Sequence, residues 1–320
     1  MVFVVVFWFW WRGERQINIR NNQIDGDDLN FPKSSISGIS CDDHGRRPIA
    51  VMLSADAETR PLSGIGGADI IFEMPVTPGG VTRLMAVYQC SNPGEVGSIR
   101  SAREDFIPLA AGLDAIYAHW GGEREALQEL NNHIIDNIDA LKYEGTYFYR
   151  KAGVRQPHNG FTDLDTLLKA SEKLNYRMED NFSGYLHGTS KHSANILNLV
   201  SEVLIDYTFP YNIQWIHDKE NNIYKRYRGG KPEIEKNDMN QVGASVIIIM
   251  KTDSKYISKD YMNVNVVGDG EVEIYQNGIK ISGRWSKDPV SINSKLFFYD
   301  SENKEIEFVP GNIWVEIITN

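Results

Sequence analysis

Short apolar runs separated by Gly-, Asn- and Pro-rich breaks dominate the first half of the chain. IAVML (49–53) is a continuous apolar run that suits a buried strand, ADIIFEM (68–74) and VTRLMAVYQ (81–89) read as two further strands, and Pro78-Gly79-Gly80 predicts that these two form a hairpin. A helical period follows in Phe106, Leu109, Ala110 and Leu113, and Ser101-Ala-Arg-Glu104 ahead of it has capping-box spacing. Pro108 inside that stretch predicts a kink. DAIYAHW (114–120) reads as another buried strand, closed by Gly121-Gly122. EREALQELNN (123–132) reads as a helix, and Thr162–Asp165 as the cap of a further helix bearing Leu164, Leu167, Leu168 and Leu174. This mixture predicts a mixed β-sheet with packed helices over residues 46–190.

From residue 205 onward the period becomes two. YNIQWIHD and NIYKRYRGG, joined by KENN, predict a hairpin; ASVIIIMK, NVNVVGDG, EVEIYQNG, KISGRWS, KLFFYD and IWVEIIT continue the pattern, with Gly, Asn and Asp at the breaks. The second domain, 205–320, is therefore predicted to be mostly β, a small barrel or sandwich, and the whole chain α+β. Polar residues 175–193 predict the connection, and SANILNLVSEVL (193–204) has a helical period. At the other end, MVFVVVFWFWW (1–11) is too short to cross a bilayer as a helix, which takes about 20 residues. Its tryptophans followed by Arg12, Arg15 and Arg20 resemble the interfacial end of a membrane segment, with a buried strand as the alternative. Residues 12–45 then read as a polar tether.

Composition changes this picture little. A hydrophobic content of 42% and a charged content of 24% are those of a folded chain, and 320 residues suffice for two cores. The net charge of −10 excludes a broad nucleic-acid surface. Cys41 and Cys90 are too few for a disulfide scaffold and lack metal-ligand spacing; they pair only if the fold brings them together.

Candidate chemistry concentrates where GSIRSARE (97–104) and AHWGG (118–122) would share a cleft. Arg100 and Arg103 at a helix start either pair locally with Glu104, Asp105, Glu95 or Glu73, or converge with free N–H groups on a carboxylate or phosphate. The predicted ligand-binding set is Arg83, Arg100, Arg103, His119, Trp120, Gly121, Gly122, His158 and Asn159. His119, ending a buried strand, can be a base, a ligand or a hydrogen-bonded core residue. A rival reading is an envelope hydrolase or transferase, with His119 as base, Glu73 as acid or ligand and Arg100 stabilising negative charge. GxSxG, phosphate-loop and dinucleotide motifs are absent from the sequence, so no cofactor and no metal site is predicted, and no catalytic residue is assigned beyond those two candidates. Trp215, Tyr224, Tyr227 and Trp285, at alternating strand positions, are expected in the core rather than stacked on a sugar.

The segments RPIAVM, RPLSGIGGADIIFE, GGVTRLMAVY, GSIRSARE, DAIYAHWGG and RQPHNGFT, with YKRYRGGKP, VVGDGEVEIYQNG, GRWSK and PGNIWVEI in the second domain, resemble the YerB-like lipoprotein family, a bacterial family of unassigned function. The resemblance runs from Arg47 to the C-terminus. It implies a two-domain extracytoplasmic protein tethered to the membrane face through its N-terminus. Two departures stand out: neither cysteine follows an apolar signal segment, which favours a membrane-helix anchor over a lipid, and Glu233 stands where the family pattern leads one to expect histidine. Together these readings give an envelope binding protein for an anionic envelope fragment or a protein partner. Recognition is placed in the first domain, with a purely protein-interacting module as the further alternative.

Overall fold

The computed structural model describes residues 32–188 and 199–319. The apolar run 1–11, expected as an anchor, and the first part of the tether, 12–31, lie outside the described residues. A single ten-stranded mixed sheet organises the rest. Its strands follow the order Phe297–Asp300, Ile279–Lys287, Gly268–Gln276, Val246–Thr252, Ile313–Thr319, Ile70–Pro75, Thr82–Tyr88, Ile49–Ser54, Ile116–His119 and Asn137–Asp139. The two domains meet inside this sheet, where Ile70–Pro75 pairs in parallel with Ile313–Thr319 and Glu73 lies directly beside Glu316.

Both faces of the sheet are covered, which is why its central strands read as continuous apolar runs. Ala50, Met52, Phe72 and Val315 face one core, together with the helices Ile107–Gly112 and Arg124–Asn131. Val51, Leu53, Ile71 and Trp314 face the other, under the helix Leu164–Lys173 and a small antiparallel sheet. That small sheet runs in the order Lys231–Pro232, Ile223–Arg228, Ile213–Asp218, Glu202–Ile205. The second domain is thus mostly β, but its strands divide between the two sheets and close no barrel of their own. Trp215, Tyr224 and Trp285 are fully buried, as expected of core aromatics, while Tyr227 is half-buried.

Local differences from the sequence reading have local causes. Ser101 does not cap a helix: the α-helix begins at Ile107, behind the turn Glu104–Phe106, and Pro108 falls in its first turn. Proline is tolerated there because the N–H it lacks would have had no intrahelical partner, so the expected kink does not arise. Asp163, one residue beyond Thr162, caps Leu164–Lys173 by accepting from the Thr166 N–H at 2.8 Å. The helix expected over 193–204 is absent where the structure describes it: Leu199 bridges Ile279 and Glu202–Ile205 is a strand, with residues 193–198 outside the described residues. The tether ends earlier than 45. Ile36 is fully buried, Ser34 and Ser37 bind Gln89 and Asp69, and Cys41 is joined to Cys90.

Candidate functional site

The SIRSARE and AHWGG segments do meet. Trp120 N–H donates to Arg100 O at 2.9 Å and Ala102 N–H to Gly121 O at 2.8 Å, so the junction is laced by backbone hydrogen bonds rather than left as a cleft. The QPHNG loop joins them through Ile99 N–H, which donates to Gly160 O at 2.8 Å.

His119 is sealed behind this junction, with 0% of its surface exposed. Its Nδ1 lies 2.8 Å from Gly121 O and its Nε2 3.3 Å from Asn137 Oδ1, and burial pushes its pKa down, with Asp139 partly offsetting the shift. It is a hydrogen-bonded core histidine. Glu73 cannot be its acid partner. The two residues lie three strands apart in the sheet, about 14 Å at the usual inter-strand spacing. Trp120 packs under the Arg150 guanidinium (3.8 Å) and against Phe148; Gly121, at φ 60°, donates its N–H to Asp139; Gly122 packs on Ala102 and Leu127. Asn159 is buried and accepts from Arg150. Of these five predicted ligand-binding positions, His119, Gly121, Gly122 and Asn159 turn their polar groups or their surface to the protein itself, and Trp120 packs its rings there while its Nε1 has no partner.

The remaining four predicted positions, Arg83, Arg100, Arg103 and His158, bring three guanidiniums and an imidazole near one another. Arg100 Nη2 donates to Asp56 Oδ2 and to His158 Nδ1, both at 2.6 Å, and Nη1 to Pro157 O at 3.0 Å. Because the guanidinium can only donate, His158 Nδ1 is the acceptor and its proton sits on Nε2. Asp56 also accepts from Ser54 and from the Tyr211 hydroxyl. Arg103 stacks over Tyr261 at 5.0 Å and lies 3.6 Å from Glu123. Arg83 differs from both. Its Nη1 donates to Ser101 O at 3.1 Å, and no carboxylate among the described residues pairs with it. Burial, then the charges of Arg103 and Arg100, pull its pKa down to about 9.

The sequence reading missed a second polar assembly, between the two sheets. Tyr224, Arg226 and Arg228 share the buried face of Ile223–Arg228, aimed at Glu73 and Glu316. Arg228 grips Glu73 with both Nη atoms (2.7 and 2.6 Å) and donates Nε to Glu233 at 3.1 Å. Arg226 donates to Glu73 (2.6 Å), Glu233 (2.9 Å) and Glu316 (3.1 Å), and its guanidinium lies 3.7 Å from the Trp314 ring. Glu233, at the position where a histidine was expected, is an ion-pair partner. Three carboxylates here face two guanidiniums. Glu73 takes most of the positive charge and stays well below the usual carboxylate range despite its burial. Glu316, buried beside Glu73 and with its Oε2 unpartnered, is pushed up. Nearby, the GIGG turn gives its Gly64 and Gly66 N–H groups to Glu235 at 2.8 and 2.7 Å, an internal anion.

The Glu316 shift has a consequence for stability. A carboxyl whose folded pKa lies above its unfolded one binds extra protons when folded, so its contribution is complete at acid pH and is lost as pH rises from the ordinary carboxylate range toward neutrality. Glu73 acts in the opposite sense and loses its contribution as pH falls below that range. Glu316→Gln should therefore flatten the decline in unfolding free energy between pH 5 and pH 7.5 while leaving the acid limb in place. Urea unfolding of both proteins at these two pH values checks this; parallel declines would contradict it.

Against known proteins, this chain is 29% identical over 277 residues to YerB of Bacillus subtilis (strain 168), named as a candidate lipoprotein; the match covers 85% of this chain and 81% of that protein. The crystal structure of the YerB protein from Bacillus subtilis superposes with a TM-score of 0.81 at 27% identity, covering 90% of this chain and 97% of that one. Residues 36–177 match the N-terminal domain, and residues 205–315 the C-terminal domain, of the family described as protein of unknown function (DUF3048). With both domains matched in order, the chain belongs to the DUF3048 family.

Proposed function

We propose that this chain is an extracytoplasmic, membrane-tethered binding protein of the bacterial cell envelope. In this reading it recognises the phosphate or carboxylate of an envelope fragment through Arg83 and Arg100, with His158 beside them. The Cys41–Cys90 disulfide supports the compartment, because such bonds persist where the surroundings oxidise. The relative named as a candidate lipoprotein supports the tether. The observation that carries the binding role is Arg83: a guanidinium next to two others, without a carboxylate of its own among the described residues. Arg100 and Arg103 each have a carboxylate within reach, Asp56 and Glu123, and Arg83 has none among the described residues, so an incoming anion would be its counter-charge.

Thermal-shift titration with inorganic phosphate and with succinate tests this. A ligand at a hundredfold excess over its Kd stabilises by about 2.7 kcal/mol, an easily read rise in Tm. The rise is expected in the native chain and should be lost in Arg83→Gln, while His119→Gln, if it folds, should keep it. An equal rise in Arg83→Gln, or no rise with either anion, would overturn the assignment.

A further inference from the structure

A cavity of about 280 Å³ opens at the seam where Arg60-Pro61-Leu62 of the first domain meets Lys231–Ile234 of the second. Pro61, Leu62, Ile234 and Met239 make its wall apolar. Beneath them Arg228 and Glu233 are already committed to each other and to the buried network. The uncommitted charge is at the rim. Arg60 donates only to the carbonyls of Ala55 (2.8 Å) and Pro210 (3.3 Å), its Nε has no partner, and Lys231 is exposed without an ion pair among the described residues. Two rim cations over an apolar wall suit a ligand that is itself divided in the same way. The geometry points to a binding site for a small organic carboxylate with an apolar body, its carboxylate held between Arg60 and Lys231 and its hydrocarbon part laid on Leu62, Ile234 and Met239. Burial, then the charge of Arg228, lower the Arg60 pKa, with Glu233 and Glu73 partly offsetting them. Inorganic phosphate would leave the apolar wall wet, which separates this site from the arginine cluster around Arg83.

Methyl-labelled methionine spectra give the readout, since Met239 is 62% exposed and lies at the cavity mouth. N-acetyl-L-leucine is expected to move the Met239 signal in a saturable way. N-acetyl-L-leucinamide, which lacks the carboxylate, should bind at least about tenfold more weakly. Lys231→Gln, an exposed change that leaves the core untouched, and Arg60→Gln should each weaken the acid by about the same factor. Arg83→Gln should leave the response unchanged, so the two sites fail independently. A short peptide ending in leucine that binds more tightly than N-acetyl-L-leucine would identify a chain terminus as the source of the carboxylate; weaker binding would identify a free acid. Equal affinity for acid and amide, an unmoved Met239 signal, or undiminished binding in Lys231→Gln would overturn the proposal.

Discussion

Arg226→Met should lower the unfolding free energy by about 3–5 kcal/mol, the cost of removing one partner from a buried ion pair. The guanidinium is fully buried and reaches three carboxylates, Glu73, Glu233 and Glu316. Methionine keeps much of the volume between Trp215 and Trp314 but none of the charge, so the loss is electrostatic rather than a packing defect. With Arg226 gone, three buried carboxylates face Arg228 alone. Adding Glu316→Gln should recover part of the loss, because it removes the carboxylate that depended on Arg226 for its ion pair, and a double-mutant cycle isolates that coupling. Urea unfolding followed by tryptophan fluorescence reads both effects, with Trp215 and Trp314 at the site. A loss below about 1 kcal/mol would show that the network contributes position rather than stability.

The same residues show where sequence reading works and where it stops. Ile49–Ser54 was legible because a strand covered on both faces needs a continuous apolar run, a demand visible within one segment. The hairpin from Ile213 to Arg228 was legible from its alternation. What that alternation also implied went unread: once Tyr224 points inward, Arg226 and Arg228 must follow it two and four residues on. Glu73 within ADIIFEM and Glu316 within IWVEIIT carried the matching signal, each a lone acid inside an apolar strand. Charges in such positions need partners, and the partners were the inward arginines of another strand. Which strands adjoin was not legible, because Ile70–Pro75 and Ile313–Thr319 are separated by more than two hundred residues of chain. The cleft expected between GSIRSARE and AHWGG is closed, and that too was not legible, for a related reason. Its segments were correctly brought together, but whether two segments leave a cleft or zip shut depends on the hydrogen bonds between them. The residue spacing that located the segments carries no information on that register.

Removing the Cys41–Cys90 bond should cost about 4 kcal/mol on the chain-entropy account, since the bond closes a loop of 49 residues in the unfolded chain. The expected structural result is local. Without the bond, the segment from Pro32 to Cys41 is held by buried Ile36, by Ser34 on Gln89, Ser37 on Asp69 (2.6 Å) and Ser35 on Asp180 (2.6 Å), and by the Tyr185 and Gly311 N–H groups, which donate to Ser35 O and Ser37 O. None of these ties is a rung of the ten-stranded sheet, so the segment should detach before the sheet unfolds. The double replacement Cys41→Ser, Cys90→Ser should therefore lower Tm and expose the amides of residues 34–38 to hydrogen exchange, leaving those of Ile49–Ser54 protected. Dithiothreitol should reproduce both effects in the native chain and neither in the double variant. If Tm does not move in either case, the bond is not part of the folded protein in solution, and the oxidising compartment inferred from it loses its physical support.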